Sequence, residues 1–582
     1  MTKATILFLF SLLLSGNASV TAARSSGYGA MDAKDSIIQT VASEEDGIVC
    51  DTTGAKRHKV LAQALGTLFD QYEIHEGNLS FHMGGNPAGK YGVVKFDEAL
   101  IPKALKRAAK ATAGFPVPIE VSFLMGPQDA VFWYGCTPPP TRYFSIRSYL
   151  AYRFPGEGRN ISGYMPGAEL GDPVNNAVIR TTGGPTDPFG KTTLFVSTGD
   201  KVAFHRVREA FAQAGLPGEA ANLDVLPSEL VRFRDTTLPW AVDRSDTIAW
   251  QFRVNEFINP AEGSAYLDKV WPVFLLRAKP SEGGRGDGGV APAMPLTAPP
   301  LKTRGTGESE EWLRSALEKL VEAVKTRMEV DRGLVLTHSF PLAPCMPDAI
   351  RCISDLDYCP VAMPIPQWNL TACNPTCDWF TRDSLYSTPP ADSDFINFMI
   401  PRDRVLIVVG VNHVLLGKAA FTNFLVTGIR NPERPGHTPN FSSSHLAGSG
   451  QYYLPGVRPE SDFLYAQELS RDCGFPPRPF CELVTEDNIA YDEYLFFAER
   501  AYLEMQTTVG PSPDEVISPF ILAFDPAADP LLTAVDVPEP RVKPEGGLGT
   551  GRRHGAAATL RGQRLSSMMA ENGDKEGGTV EQ

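Results

Sequence analysis

The chain has 582 residues, 43% of them apolar and 21% charged, which suits globular domains with a sizeable core rather than a disordered polymer. Its formal charge is −14, and no stripe of Lys and Arg is gathered on one segment, which argues against a non-specific grip on nucleic acid.

The first 22 residues read as a secretory signal peptide: Lys3, an apolar run from Ala4 to Leu14, then small residues ending in Val20-Thr21-Ala22. The run is shorter than the ~20 residues that span a bilayer, and no later segment qualifies. Arg404–Gly417 comes nearest and is interrupted by Asn412 and His413. Residues 23–45 read as a flexible lead.

A first α+β lobe is expected over 46–278. Apolar steps of three and four predict helices in "RHKVLAQALGTLFDQY", "DEALIPKALKRAAKA" and "DKVAFHRVREAFAQAG", the last stopped by Gly215. "AVFWYG", "YFSIRSYLAYR", "TTLFVST", "SDTIAWQFRV" and "VWPVFLL" read as strands. Residues 279–310 are rich in Gly and Pro and read as a linker, in which Arg285-Gly286-Asp287 is an ordinary Gly-rich tripeptide.

A second lobe is expected over 311–535. It opens with the amphipathic "EEWLRSALEKLVEAVKTRM" and continues with the strand "VLIVVG", a predicted helix "SDFLYAQELSRDCG" and the strand "ISPFILAF". Residues 536–582 read as a disordered tail. In each lobe a strand ending in Gly precedes a cation–aromatic–hydroxyl group, a helix–Gly unit, an Asp-x-Ile-Ala-aromatic stretch (Asp246–Trp250, Asp487–Tyr491) and a Pro-containing strand. That shared order points to internal duplication. The expected fold is therefore two similar α+β lobes, each a mixed sheet with helices on one face. The Asp of each Ile-Ala stretch reads as a cap or turn former, since neither has the Gly-rich turn of a catalytic dyad.

A secreted chain is expected to form disulfides. Cys50 could reach Cys136, and Cys473 with Cys481 could close a short loop, but connectivity is not deducible from sequence and nine cysteines leave one thiol over. Cys345, Cys352, Cys359, Cys373 and Cys377 crowd a Pro-rich loop over 345–377. Their spacing of six, six, thirteen and three intervening residues does not fit paired zinc-binding units. Asn78, Asn160, Asn369 and Asn440 head glycosylation sequons.

No nucleophile elbow, zinc-protease helix, phosphate loop or dinucleotide fingerprint occurs, so no cofactor is called for. His437 and His445 with His413 lack the carboxylate that would complete a metal set. The best polar group is Asn412-His413 at the end of an apolar strand, with Lys418 just beyond; His413 is a candidate general base and Asn412 its orienter or an oxyanion donor. The matching place in the first lobe offers Arg142, after three prolines, and Ser145. Convergence of Arg142, Ser145, Asn412, His413 and Lys418 in an interlobe cleft would suit an anionic small ligand. Two functions stay open: a secreted hydrolase-type enzyme, or a noncatalytic extracellular binding protein using the same cleft. Oligomeric state is not encoded legibly.

Overall fold

A computed structural model of the chain describes residues 50–51, 53–83, 89–97, 121–153, 167–234, 245–279, 293–345, 381–389, 399–428, 440–493 and 495–527. The signal peptide, residues 98–111 of the helix predicted over 97–111, Asn160, Asn369, His437, the tail, and Cys352, Cys359, Cys373 and Cys377 lie outside the described residues.

The first half begins with helix α1 (Gly54–Leu68) and strands β1 (Tyr72–Met83), β2 (Gly89–Phe96), β3 (Ala130–Cys136), β4 (Thr141–Tyr152), β5 (Ala168–Glu169), β6 (Val174–Asn175) and β7 (Thr192–Thr198). Helix α2 (Lys201–Gln213), β8 (Ala221–Val225), β9 (Thr247–Phe257), helix α3 (Pro260–Leu267) and β10 (Trp271–Ala278) follow. These strands form one sheet in the order β5-β4-β9-β2-β1-β10-β3-β7-β8, with β6 also on β4. Its described pairings are antiparallel except β7 with β8.

Alternation decides the packing. On β3, Ala130, Phe132 and Tyr134 turn to α1 and α2, while Val131 and Trp133 turn to the opposite core with Phe252 and Trp271. Trp133 meets those two rings edge-on at 5.6 and 6.1 Å, pairs worth roughly 0.5–1.5 kcal/mol beyond area burial. The helix–Gly expectation holds for α2: Asp200 caps it by accepting from the backbone amides of Val202 and Ala203, and Gly215 beyond its end has φ +103°.

The second half begins with a short 3-10 turn (Glu310–Leu313) and helix α4 (Arg314–Arg332), closed by Gly333 in the left-handed conformation. Its strands are β11 (Leu334–Pro341), β12 (Ala343–Cys345), β13 (Ser384–Thr388), β14 (Val405–Val411), β15 (Phe421–Gly428), β16 (Asn440–Ser442), β17 (Leu464–Ser470), β18 (Cys481–Leu483), β19 (Leu495–Tyr502) and β20 (Phe520–Pro526). They form two sheets, β11-β20-β14-β17-β18 and β12-β13-β19-β15-β16. Helix α4 covers one face of β14 and β20, while the other face packs with β15 and β19. The architecture is α+β with several sheets and few helices.

Two expectations fail here. "SDFLYAQELSRDCG" is not a helix; its centre is β17, with Leu464 and Ala466 in one core and Tyr465 and Leu469 in the other. A three-to-four step and a two-residue step overlap in this short stretch, and pairing with β14 and β18 on both sides selects the extended form. "EDNIAY" forms turns before β19, whereas most of "SDTIAW" lies in β9. The two stretches are not structural counterparts.

Described residues up to Ala527 belong to one compact unit. Part of the expected linker is a strap within it. Met294 donates its backbone N–H to Asp200, Lys302 its ammonium to the Thr508 hydroxyl, and Arg304 its guanidinium to the carbonyls of Arg382, Ser384 and Pro511. Cys50–Cys136 and Cys473–Cys481 are disulfides, and Cys345 is also disulfide-bonded.

Candidate functional site

The residues singled out in the sequence do not converge. Arg142 is exposed at the start of β4, while Ser145, Asn412, His413 and Lys418 are buried. The Asn412 side-chain amide donates to the Ser443 carbonyl at 3.0 Å. His413 sits between two carboxylates, Nδ1 at 2.7 Å from Glu310 Oε1 and Nε2 at 3.5 Å from Glu499 Oε2. Burial alone would lower its pKa, but these two charges and their hydrogen bonds outweigh it and raise it to about 10. An imidazolium held on both nitrogens has no lone pair to act as base, so the general-base role does not follow from this geometry.

Lys418 is likewise engaged. Its ammonium donates to Thr306, Glu504 and Glu515, and Glu515 also accepts the backbone N–H groups of Thr306 and Gly307. Lys418 therefore pins the strap to the second half.

Ser145 alone of the five lies where the halves meet. Its hydroxyl is 2.7 Å from Tyr143 Oη, which donates to Asp383 Oδ2 at 3.2 Å, while Asn175 donates to Asp383 Oδ1 at 3.0 Å. Burial, then the charge of Glu169, push the Asp383 carboxyl up to about 8 against those hydrogen bonds. Glu169 accepts in turn from the Thr381 hydroxyl and the Arg382 backbone N–H. The ring centroids of Tyr143 and Tyr502 are 4.8 Å apart across the same junction.

The junction holds residues that the sequence reading passed over. On β9, Ile248, Trp250, Phe252 and Val254 enter the core, so Gln251, Arg253 and Asn255 share the other face. On β19, Leu495 and Phe497 enter the second core, and Arg500 and Tyr502 share the other face. Arg253 lies across the ladder from Tyr91, and Arg500 across from Tyr386. Arg253 donates to Tyr149 Oη at 2.6 Å, and its guanidinium carbon is 5.4 and 5.9 Å from the Tyr149 and Tyr91 ring centres. Arg500 lies beside Tyr386 in the ladder, and Tyr502, Tyr91, Tyr386 and Arg253 act on its charge. The period-two pattern of "TIAWQFRVNEF" contained the signal: an Arg on the face opposite the apolar row Ile248, Trp250, Phe252 and Val254.

A hollow of about 270 Å³ lies elsewhere, lined by Arg327, Arg332, Tyr452, Glu468 and Arg478 among others. Its cations are occupied: Arg332 and Arg478 both bond Glu468, and Arg327 stands 4.0 Å over the Tyr452 ring. No group of residues able to hold a metal occurs among the described residues. No helix of the described residues is long and apolar enough to cross a membrane. The disulfides are compatible with an extracellular protein.

No protein-family profile and no curated relative matches the chain. Among solved structures, an uncharacterized protein from Burkholderia cenocepacia is similar at 11% identity and a TM-score of 0.33, covering 86% of this chain and 95% of its own. A likeness that remote carries neither fold nor function across.

Proposed function

We propose that this is a secreted, disulfide-stapled protein of two related halves that binds a small anionic ligand at their junction without transforming it. The observation that carries the reading is that Arg253 and Arg500, each on the polar face of its strand beside the Tyr143–Tyr502 contact that joins the halves, lie near enough for their charges to act on one another. The hydrolase alternative rested on His413, and a doubly clamped imidazolium gives it no support.

Strand order supports the duplication. The order β1-β10-β3-β7-β8 recurs as β11-β20-β14-β17-β18, with the last pair parallel each time. The order β1-β2-β9-β4 recurs as β12-β13-β19-β15. Matching Tyr91–Arg253 to Tyr386–Arg500 places Glu256 on Leu503, and both are non-Gly residues at positive φ, 52° and 56°. In this register Trp250 matches Phe497, so "SDTIAW" and "EDNIAY" are offset by six residues and their likeness is accidental.

Secretion is supported by the N-terminal pattern and the disulfides, and Asn78 is exposed on β1 as a glycan acceptor should be. Asn440 is half-buried and accepts from Asn423, a poorer acceptor. Expression through a eukaryotic secretory route, followed by calorimetric titration with phosphate, sulfate, citrate and a neutral sugar and by an ester-hydrolysis assay, tests the reading. Saturable binding of an anion without turnover is expected. Ester turnover abolished by His413→Gln would restore the hydrolase, and failure of every anion to bind would remove the binding protein.

A further inference from the structure

The geometry points to a tetrahedral oxyanion, a phosphate or sulfate group free or esterified, as the ligand of the junction, gripped by Arg500 and Arg253 with Asn255 as an added donor. This inference rests on the binding-protein reading and names its site and ligand class.

Arg500 carries the argument. Its side chain makes no hydrogen bond or ion pair with the described residues, and its Nη1 is fully covered yet has no partner. A guanidinium is charged at every relevant pH and presents five donors, so leaving it unmatched in a protein interior is costly. The groups with the strongest electrostatic effect on it are three tyrosines and a second arginine, not a carboxylate. The nearby carboxylates are otherwise engaged. Glu499, its chain neighbour, faces His413 and Tyr465, and Glu169 accepts from Thr381, Arg382 and Tyr149. Asp383, with its pKa raised to about 8, is largely protonated at neutral pH.

A second observation has the same sign. Asn255, on the same face of β9 as Arg253 and buried to 2% exposure, has its Nδ2 covered and without an acceptor. Unmatched donors on facing strands call for one acceptor-rich group. A tetrahedral oxyanion offers several oxygens to a guanidinium fork and an amide at once. Arg500 and Tyr91 are half-buried as whole residues, while the Arg500 Nη1 itself is covered. Tyr91 and Tyr386 flank the arginines with ring surface that an ester substituent can pack against.

The test uses the full mature chain. Inorganic phosphate and phenyl phosphate are titrated calorimetrically at constant ionic strength into wild type and Arg500→Gln. Loss of one charge-assisted contact weakens binding by about tenfold or more. Tighter binding of phenyl phosphate assigns an ester, and equal binding assigns the free ion. To keep the test independent of the folding of Arg500→Gln, wild type is also treated with phenylglyoxal with and without phosphate, and modified arginines are mapped by peptide mass. Phosphate is expected to slow modification of Arg500 and leave exposed Arg142 unaffected. Equal phosphate affinity in folded Arg500→Gln, or no protection of Arg500, overturns the site. If citrate binds while phosphate does not, the oxyanion site falls and the binding-protein reading stands.

Discussion

Replacing His413 by Gln tests the largest electrostatic feature of the second half. The folded protein holds the His413 proton to about pH 10, while an unfolded histidine releases it near 6.5. Between those values the folded state binds more protons, so the stabilisation is complete below pH 6.5 and is lost as pH rises through 10. Linkage gives about 4 kcal/mol at pH 7 and roughly 1 kcal/mol at pH 9. The first figure agrees with the ~3–5 kcal/mol typical of breaking a buried ion pair. Urea unfolding of wild type and His413→Gln at pH 6, 7, 8, 9 and 10 measures it. The difference between the two proteins should be largest at pH 6–7 and nearly vanish by pH 10. Other titrating groups are common to both and cancel to the extent that they are independent. A difference that stays constant across that range would mean that His413 is held neutral and that the double carboxylate clamp is misread.

Asp383→Asn should move stability the other way. An acid whose folded pKa is raised to about 8 destabilises the fold increasingly as pH climbs from about 4 to 8. Asp383→Asn should therefore gain on wild type by roughly 2–3 kcal/mol between pH 6 and pH 9, read from thermal or urea midpoints. Gly450→Ala should destabilise by several kcal/mol, beyond the ~1–3 kcal/mol of ordinary overpacking, because its Cβ would lie 2.5 Å from the Leu464 carbonyl and 2.6 Å from that of Ser461. Gly456→Ala, with nothing within 4 Å, is the matched control and should leave the midpoint unchanged.

Much of the fold was legible where local pattern and tertiary demand agree. The helices around Val60–Leu68, Ala203–Phe211 and Leu317–Met328 show their apolar stripe, and β3 and β14 show uninterrupted apolar runs buried on both faces. The pairs Cys50–Cys136 and Cys473–Cys481 were among the possibilities the spacing offered, and the structure selects them. β17 was misread because its periodicity is ambiguous and its neighbours, far away in sequence, choose its state.

The candidate site was far less legible. His413 and Lys418 looked like free chemistry because their partners Glu310, Glu499, Glu504 and Glu515 are distant in sequence. Arg253 was passed over inside the predicted strand "SDTIAWQFRV", and Arg500 lies in β19, a strand the sequence reading did not pick out. By itself the sequence determined the periodic elements, the disulfide-forming character and the acidic balance, since each is a local or additive property of the residues. Which charges neutralise one another, and which arginine is left facing a junction without an acceptor, only the tertiary structure decided. Electrostatic pairing depends on distance in space, and β9 and β19 are brought face to face across some 240 residues of chain.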